Sequence, residues 1–212
     1  RKDLVERTGL PASKVHHVGG GSNIDVSRID CSKKEGNKFL FVGKVWDLKN
    51  GDLVVEAFKQ LCAAYPEQKP QLYIAGPENE PACIAGCENI TFLGRLRYDQ
   101  LIAYYNLCDY FVMPSRHDAY GLVFVESLCF GLPCIGKNIC AMPEFIQHGK
   151  NGYLLERDDA RELTGLMEQL LLDGQRMAAA VQSDRAYYLE TYSWDAVARR
   201  IMDVLTRDGY VK

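Results

Sequence analysis

Two carboxylates eight positions apart bracket an apolar stretch in the middle of the chain: Asp118 and Glu126, separated by AYGLVFV. An acid inside so apolar a segment costs free energy unless something hydrogen-bonds it, and a ligand hydroxyl is a natural partner. Between the two acids Gly121 opens a helix-like pattern, and a helix N-terminus offers free backbone N–H groups and a favourable dipole to an anion. Gly121, Leu122 and Val123 are therefore candidates for holding a negatively charged ligand. A second charged group, Lys44 and Lys49, lies five apart in GKVWDLKNG, directly after the apolar run KFLFV.

These residues need elements to hold them. Tyr110 to Met113, ended by Pro114, reads as a buried strand, and Ser115, Arg116, His117 and Asp118 form a polar loop after it. The helix then runs from Leu122 to Phe130 and is closed by Gly131 and Pro133, with a short strand at Cys134 to Gly136. Lys38 to Val42 is another strand. The amphipathic helix Asp52 to Tyr65 follows, with Asp52 as its N-cap. Further strands are expected at 71–75, 90–93 and 152–155, with a strand-like segment at Val15 to Val18. Further helices are expected at 98–107, 143–148, 158–172 and 175–190, and Ser193 caps a last amphipathic helix. Strands alternating with helices predict an α/β fold with a doubly wound parallel sheet. Ligands in such sheets sit at the carboxyl ends of strands, and Lys44, Gly76, Gly94 and Asp118 all fall just past such ends.

Composition excludes several classes. The 212 residues are 47% hydrophobic and 25% charged, as in an ordinary globular chain. A net charge of -3 and a pI near 5.9 leave no basic footprint for nucleic acid. Asn106 and Asp109 interrupt the longest apolar run, so no transmembrane segment is expected, and no signal peptide is visible. The eight cysteines sit mostly inside apolar segments and read as small buried hydrophobes in a reducing, cytoplasmic setting. Cys83 and Cys87 lack a second pair or a histidine at zinc spacing, so no metal is expected. GLPCIGKN at Gly131 to Asn138 only mimics a phosphate-binding loop: Asn138 replaces the hydroxyl, and a strand lies where a helix should open. His16, His17 and His148 read as structural or solvent-facing, whereas His117 adjoins Asp118.

The stretch from Asp118 to Glu126, followed by SLCFGLPCIG, resembles the acid-x7-acid motif of retaining nucleotide-sugar glycosyltransferases of the GT-B fold, in particular the large glycogen-synthase-like group 1 family. That family's pattern is roughly E-G-F-G-L-x-x-x-E-A-M-A-x-G-x-P-V-I, then P-E-x-I-x-x-G-x-N-G. Pro143, Glu144, Ile146, Gly149, Asn151 and Gly152 match its second part, and Asp118 stands where its first acid is Glu. The family's G-R-x4-K-G corresponds to Lys44 and Lys49. Its P-N-G-[VI]-D interdomain turn corresponds to Gly21-Ser-Asn-Ile-Asp25, where Asn23 replaces glycine and tolerates a left-handed backbone.

The resemblance implies the C-terminal, donor-binding half of such an enzyme, a Rossmann-like domain. Residues 1–28 would be the interdomain linker and the end of a missing N-terminal acceptor-binding domain, 29–190 the nucleotide-sugar-binding domain, and 191–212 a crossover helix. It implies transfer of a hexose from a nucleoside diphosphate with retention of configuration, using neither metal nor cofactor. Lys44, Lys49 and the helix end at Gly121, Leu122 and Val123 would neutralise the diphosphate. Glu126 would accept bonds from the ribose hydroxyls, Asp118 would hold a sugar hydroxyl near the reacting carbon, and Glu144 would help place the sugar. The partner is a sugar nucleotide, with peripheral membrane contact possible through the missing domain. Two alternatives share the fold, a sugar-nucleotide epimerase and a non-catalytic nucleotide-sugar-binding module. A generic Rossmann-like binding or regulatory module is disfavoured, because the dinucleotide glycines and their trailing acid are missing.

Overall fold

Phe39, Leu40 and Phe41 have no exposed surface, so their strand, Lys38–Val42 (β1), is covered on both faces, as in parallel sheets. The computed structural model describes residues 2–30, 32 and 35–211; Cys31, one of the eight cysteines, lies outside the described residues. The other strands are Gln71–Ala75 (β2), Ile90–Gly94 (β3), Tyr110–Met113 (β4), Cys134–Lys137 (β5) and Gly152–Leu155 (β6). The helices are Lys2–Thr8 (α1), Gly51–Ala64 (α2), Tyr98–Leu107 (α3), Leu122–Cys129 (α4), Met142–Phe145 (α5), Ala160–Ser183 (α6), Arg185–Thr191 (α7) and Trp194–Arg207 (α8).

The chain divides into two compact units, Ile24–Tyr188 and Arg1–Asn23 with Leu189–Lys212. The first holds one parallel sheet in the order β3-β2-β1-β4-β5-β6. From β1 the chain builds outward on one side through β2 and β3 and then returns to β4 on the other. The strand order therefore reverses between β1 and β4, which is where doubly wound sheets open a crevice. Buried Asp109 pins the two strands at their amino ends, its Oδ2 accepting from Asn37 N at 2.9 Å and Lys38 N at 2.8 Å. Phe39 packs on Phe58 of α2 and Tyr110 of β4 at ring separations of 6.3 and 5.2 Å. Phe111 meets Phe124 of α4 edge-on at 5.2 Å.

Several expectations from the sequence need correction. Asp52 is not the N-cap of α2. That position is Asn50, in left-handed conformation at φ 60°, while Asp52 Oδ1 accepts from Trp46 Nε1 at 2.9 Å. The helices expected at 158–172 and 175–190 are instead one continuous α6 to Ser183 followed by a short α7. Gly174 is no stop signal; its missing side chain makes room for the Tyr110 ring, which a Cβ would meet at 2.7 Å. The helix expected at 143–148 ends at Phe145.

In the other unit, Val15 to Val18 forms no strand; Val18 O accepts from Arg200 Nε at 2.7 Å. Asn23 is not left-handed; Gly19 is, at φ 76°, and Asn23 Oδ1 instead accepts from Trp194 Nε1 at 2.8 Å. Ser193 does cap α8, its Oγ accepting from Ala196 N at 3.0 Å. Among the described residues no helix is long and apolar enough to cross a membrane.

Candidate functional site

The site grows from the carboxyl ends of β1 and β4. Past β1 the chain turns through Lys44 to Asn50, closed by Lys49 N to Val45 O at 3.0 Å and Asn50 N to Asp47 O at 3.2 Å. Trp46 braces this turn, its ring 5.4 Å from Phe41. Past β4, the loop carrying Asp118 is laced to the same turn. Arg116 N and Ser115 Oγ both donate to Leu48 O, at 2.9 and 3.1 Å. Arg116 Nη1 donates to Asp47 O at 2.9 Å, and Asn50 Nδ2 to Pro114 O at 3.3 Å. Arg116 is anchored in turn by Asp158, which also pairs with Lys137 at 2.5 Å. Burial pushes the Asp158 carboxyl up, but the Lys137 and Arg116 bonds together outweigh it and hold the group below its usual pKa. Sequence reasoning missed this lacing, since nothing local marks Arg116 or Asp158 as partners across 42 positions.

Within that frame Lys49 and Asp118 form an ion pair, their side chains 18% and 15% exposed. Asp118 Oδ1 also accepts from Tyr120 N at 3.3 Å. Gly121 caps α4 at φ 79°, a left-handed position that suits glycine; a Cβ there would press on Met142 and Phe124 at 3.0 Å. Around these groups lies a cleft of about 420 Å³, lined by Val42, Gly43, Lys44, Val45, Lys49, Met113, Asp118 and residues 120–123. Six of the eight candidate residues thus converge on one cleft: Lys44, Lys49, Asp118, Gly121, Leu122 and Val123. A second cleft of about 350 Å³ shares Lys44 and is bordered by Trp46, Glu78 and Arg95, the last two paired at 2.7 Å.

The other two candidates lie outside the lining. Glu126 is half-buried one turn further along α4, where Tyr105 Oη donates to its Oε2 at 3.0 Å. Burial raises its carboxyl pKa, with the Tyr105 bond acting in the opposite direction. Glu144 is exposed on α5. The residues after it build rather than line. Buried Asn151 donates to Phe145 O at 2.9 Å and accepts from Gln147 N at 2.7 Å, and a Cβ on Gly152 would strike Cys134 O at 2.0 Å.

The expectation of buried cysteines holds for Cys108, Cys129 and Cys134, whereas Cys62, Cys83 and Cys87 are half-buried and Cys140 is exposed. Among the described residues no group of three or more His, Cys, Asp or Glu could hold a metal ion.

The six-stranded parallel sheet with its flanking helices matches one half of solved GT-B glycosyltransferases in fold. A glycosyltransferase from Rickettsia africae superposes with a TM-score of 0.79 at 16% identity, over 97% of this chain and 60% of that one. Anabaena HepE, in complex with UDP and glucose, gives 0.78 at 17% identity with the same coverage. Residues 25–187 match the family of glycosyl transferases group 1, and the chain belongs to that family. A D-inositol 3-phosphate glycosyltransferase of Thermobispora bispora is 26% identical across 97% of this chain and 53% of its own length. The serotype-specific mannosyltransferase WbdA of Escherichia coli is also 26% identical, across 97% of this chain and 27% of its own. The chain thus spans about half, or less, of the curated relatives it matches.

Proposed function

We propose that this chain is the donor-binding half of a retaining, metal-independent hexosyltransferase acting in the cytoplasm, and that its cleft holds a nucleoside-diphosphate sugar. The observation that carries the reading is the meeting of Lys44, Lys49, Asp118 and the α4 N-terminus around one cleft at the β1/β4 switch point. A diphosphate leaving group gains negative charge as the glycosidic bond breaks. Two ammonium groups and a helix end stabilise that charge without a metal. Asp118, held by Lys49, faces the same space and accepts from a sugar hydroxyl, with Glu144 helping to place the sugar. Glu126 accepts from the ribose. The second cleft shares Lys44 and gives the nucleoside room to extend.

Transfer needs an acceptor, which the remaining part of a longer enzyme would supply. The names of relatives favour a hexose donor, since one is a mannosyltransferase and another a GDP-mannose-dependent mannosyltransferase. The test is a thermal-shift panel of UDP, GDP, ADP and their hexose conjugates on the 212-residue chain. A rise in Tm with at least one of them, lost in Lys44→Ala combined with Lys49→Ala, supports the reading. No rise with any ligand overturns it.

A further inference from the structure

Leu122 and Val123 line the main cleft, and Glu126 follows them by four and three positions. It therefore sits on the same helical face, one turn beyond the cleft wall. Its Oε2 is held by Tyr105 Oη at 3.0 Å. Tyr105 has no exposed surface, and its ring lies stacked on Phe130 at 5.1 Å and 15°. A ring packed so tightly keeps its hydroxyl in one place, because the hydroxyl moves only if the whole side chain swings into its closely packed neighbours. Such a hydroxyl fixes one oxygen of a carboxylate and so determines where the other is presented.

We propose that Tyr105 is a positioning residue for ribose recognition: its buried hydroxyl fixes Glu126 Oε2 so that the carboxylate presents Oε1 to the hydroxyls of a ribonucleotide. The inference rests on the donor-binding reading and deepens it. The bond has an electrostatic side as well. A carboxylate accepts from ribose hydroxyls most strongly when ionised, yet burial favours its neutral form, and the Tyr105 hydroxyl opposes burial. Tyr105 itself stays a donor, since burial and then the Glu126 charge push its pKa well above 10. The other titratable groups facing Glu126 are Tyr98 of α3 and Cys129 of α4. Both are pushed up to about 12 by burial and then by the Glu126 charge, so both stay neutral while Glu126 titrates.

The experiment titrates UDP, GDP and ADP, each beside its 2′,3′-dideoxy counterpart, into the 212-residue chain between about pH 5 and 8. Wild type should prefer the ribonucleotide and lose that preference as acid protonates Glu126. Tyr105→Phe should reduce the preference about tenfold and move its acid limb to higher pH. In a Glu126→Gln background, Tyr105→Phe should change neither. A general loosening of the fold would instead weaken both ligands alike and persist in that background. A Tyr105→Phe protein with unchanged preference and acid limb overturns the inference while leaving the donor-binding reading intact. A wild type that binds no nucleotide overturns both.

Discussion

Lys49→Ala should weaken nucleoside diphosphate binding far more than Lys44→Ala, although each removes one positive charge. Lys44 is exposed at the rim of the cleft, so its loss forfeits a solvent-screened phosphate contact of about 1.5 kcal/mol, roughly tenfold in affinity. Lys49 forfeits a similar contact and does something further, because it is the ion-pair partner of Asp118, whose side chain is only 15% exposed. Without it, an uncompensated carboxylate faces the incoming phosphates. At a separation of about 6 Å and an effective dielectric of about 20, that repulsion is about 3 kcal/mol. The total is about 4 to 5 kcal/mol, on the order of a thousandfold. Adding Asp118→Asn to Lys49→Ala should return the repulsive part, on the order of a hundredfold. Titration calorimetry with UDP, GDP or ADP reads this cleanly, because without a sugar the hydroxyl contact proposed for Asp118 plays no part. Equal losses in the two lysine variants, with no recovery on adding Asp118→Asn, would refute the reasoning.

Three further outcomes can be measured. The 212-residue chain should bind donor but not transfer sugar to an acceptor, because positioning an acceptor in a closed cleft supplies roughly 7 to 11 kcal/mol of the barrier; robust transfer by this chain alone, assayed beside a full-length member of the family, contradicts that. Gly174→Ala should destabilise by up to about 2 kcal/mol in denaturant melts, because overpacking against the buried Tyr110 ring costs about 1 to 3 kcal/mol and the helix-propensity gain of about 1 kcal/mol offsets only part of it. Glu126→Gln should raise Tm near neutral pH while weakening ribonucleotide binding. The folded-state pKa of Glu126 lies above the unfolded value of about 4.5, so its charge costs stability as pH rises through that folded pKa. The Tm gain should vanish in acid below about 4.5, and a gain that persists there would show that it has another origin.

The six sheet strands were legible because each is a short apolar run bounded by Gly, Pro or polar residues, a signal that local sequence carries whole. The failures share a cause, which is that tertiary contacts reassigned residues whose local meaning was different. Gly174 looked like a helix stop, yet it sits mid-helix because the Tyr110 ring occupies the space of its side chain. Asp52 looked like a cap, but Trp46 claims its oxygen. Val15 to Val18 had strand-like residues but pairs with none of the described strands, and the Val18 carbonyl is taken by the Arg200 side chain.

The candidate site was legible as two separate clusters, and only the sheet order makes them one. Lys49 and Asp118 are 69 positions apart. Strand propensities alone do not say that β1 lies beside β4 rather than between β2 and another strand. Once β1 and β4 are neighbours in parallel, their carboxyl-end loops must leave the sheet together and meet. That brings a lysine and an aspartate into one half-buried space, where each charge offsets part of the other's desolvation cost. Their pairing, with Arg116 lacing the two loops, thus stabilises charged residues at this position. It also keeps the ammonium group in the cleft before any phosphate arrives. In the proposed donor complex a diphosphate would meet a cation already partly desolvated and oriented, so less of its binding free energy would be lost to ordering the site.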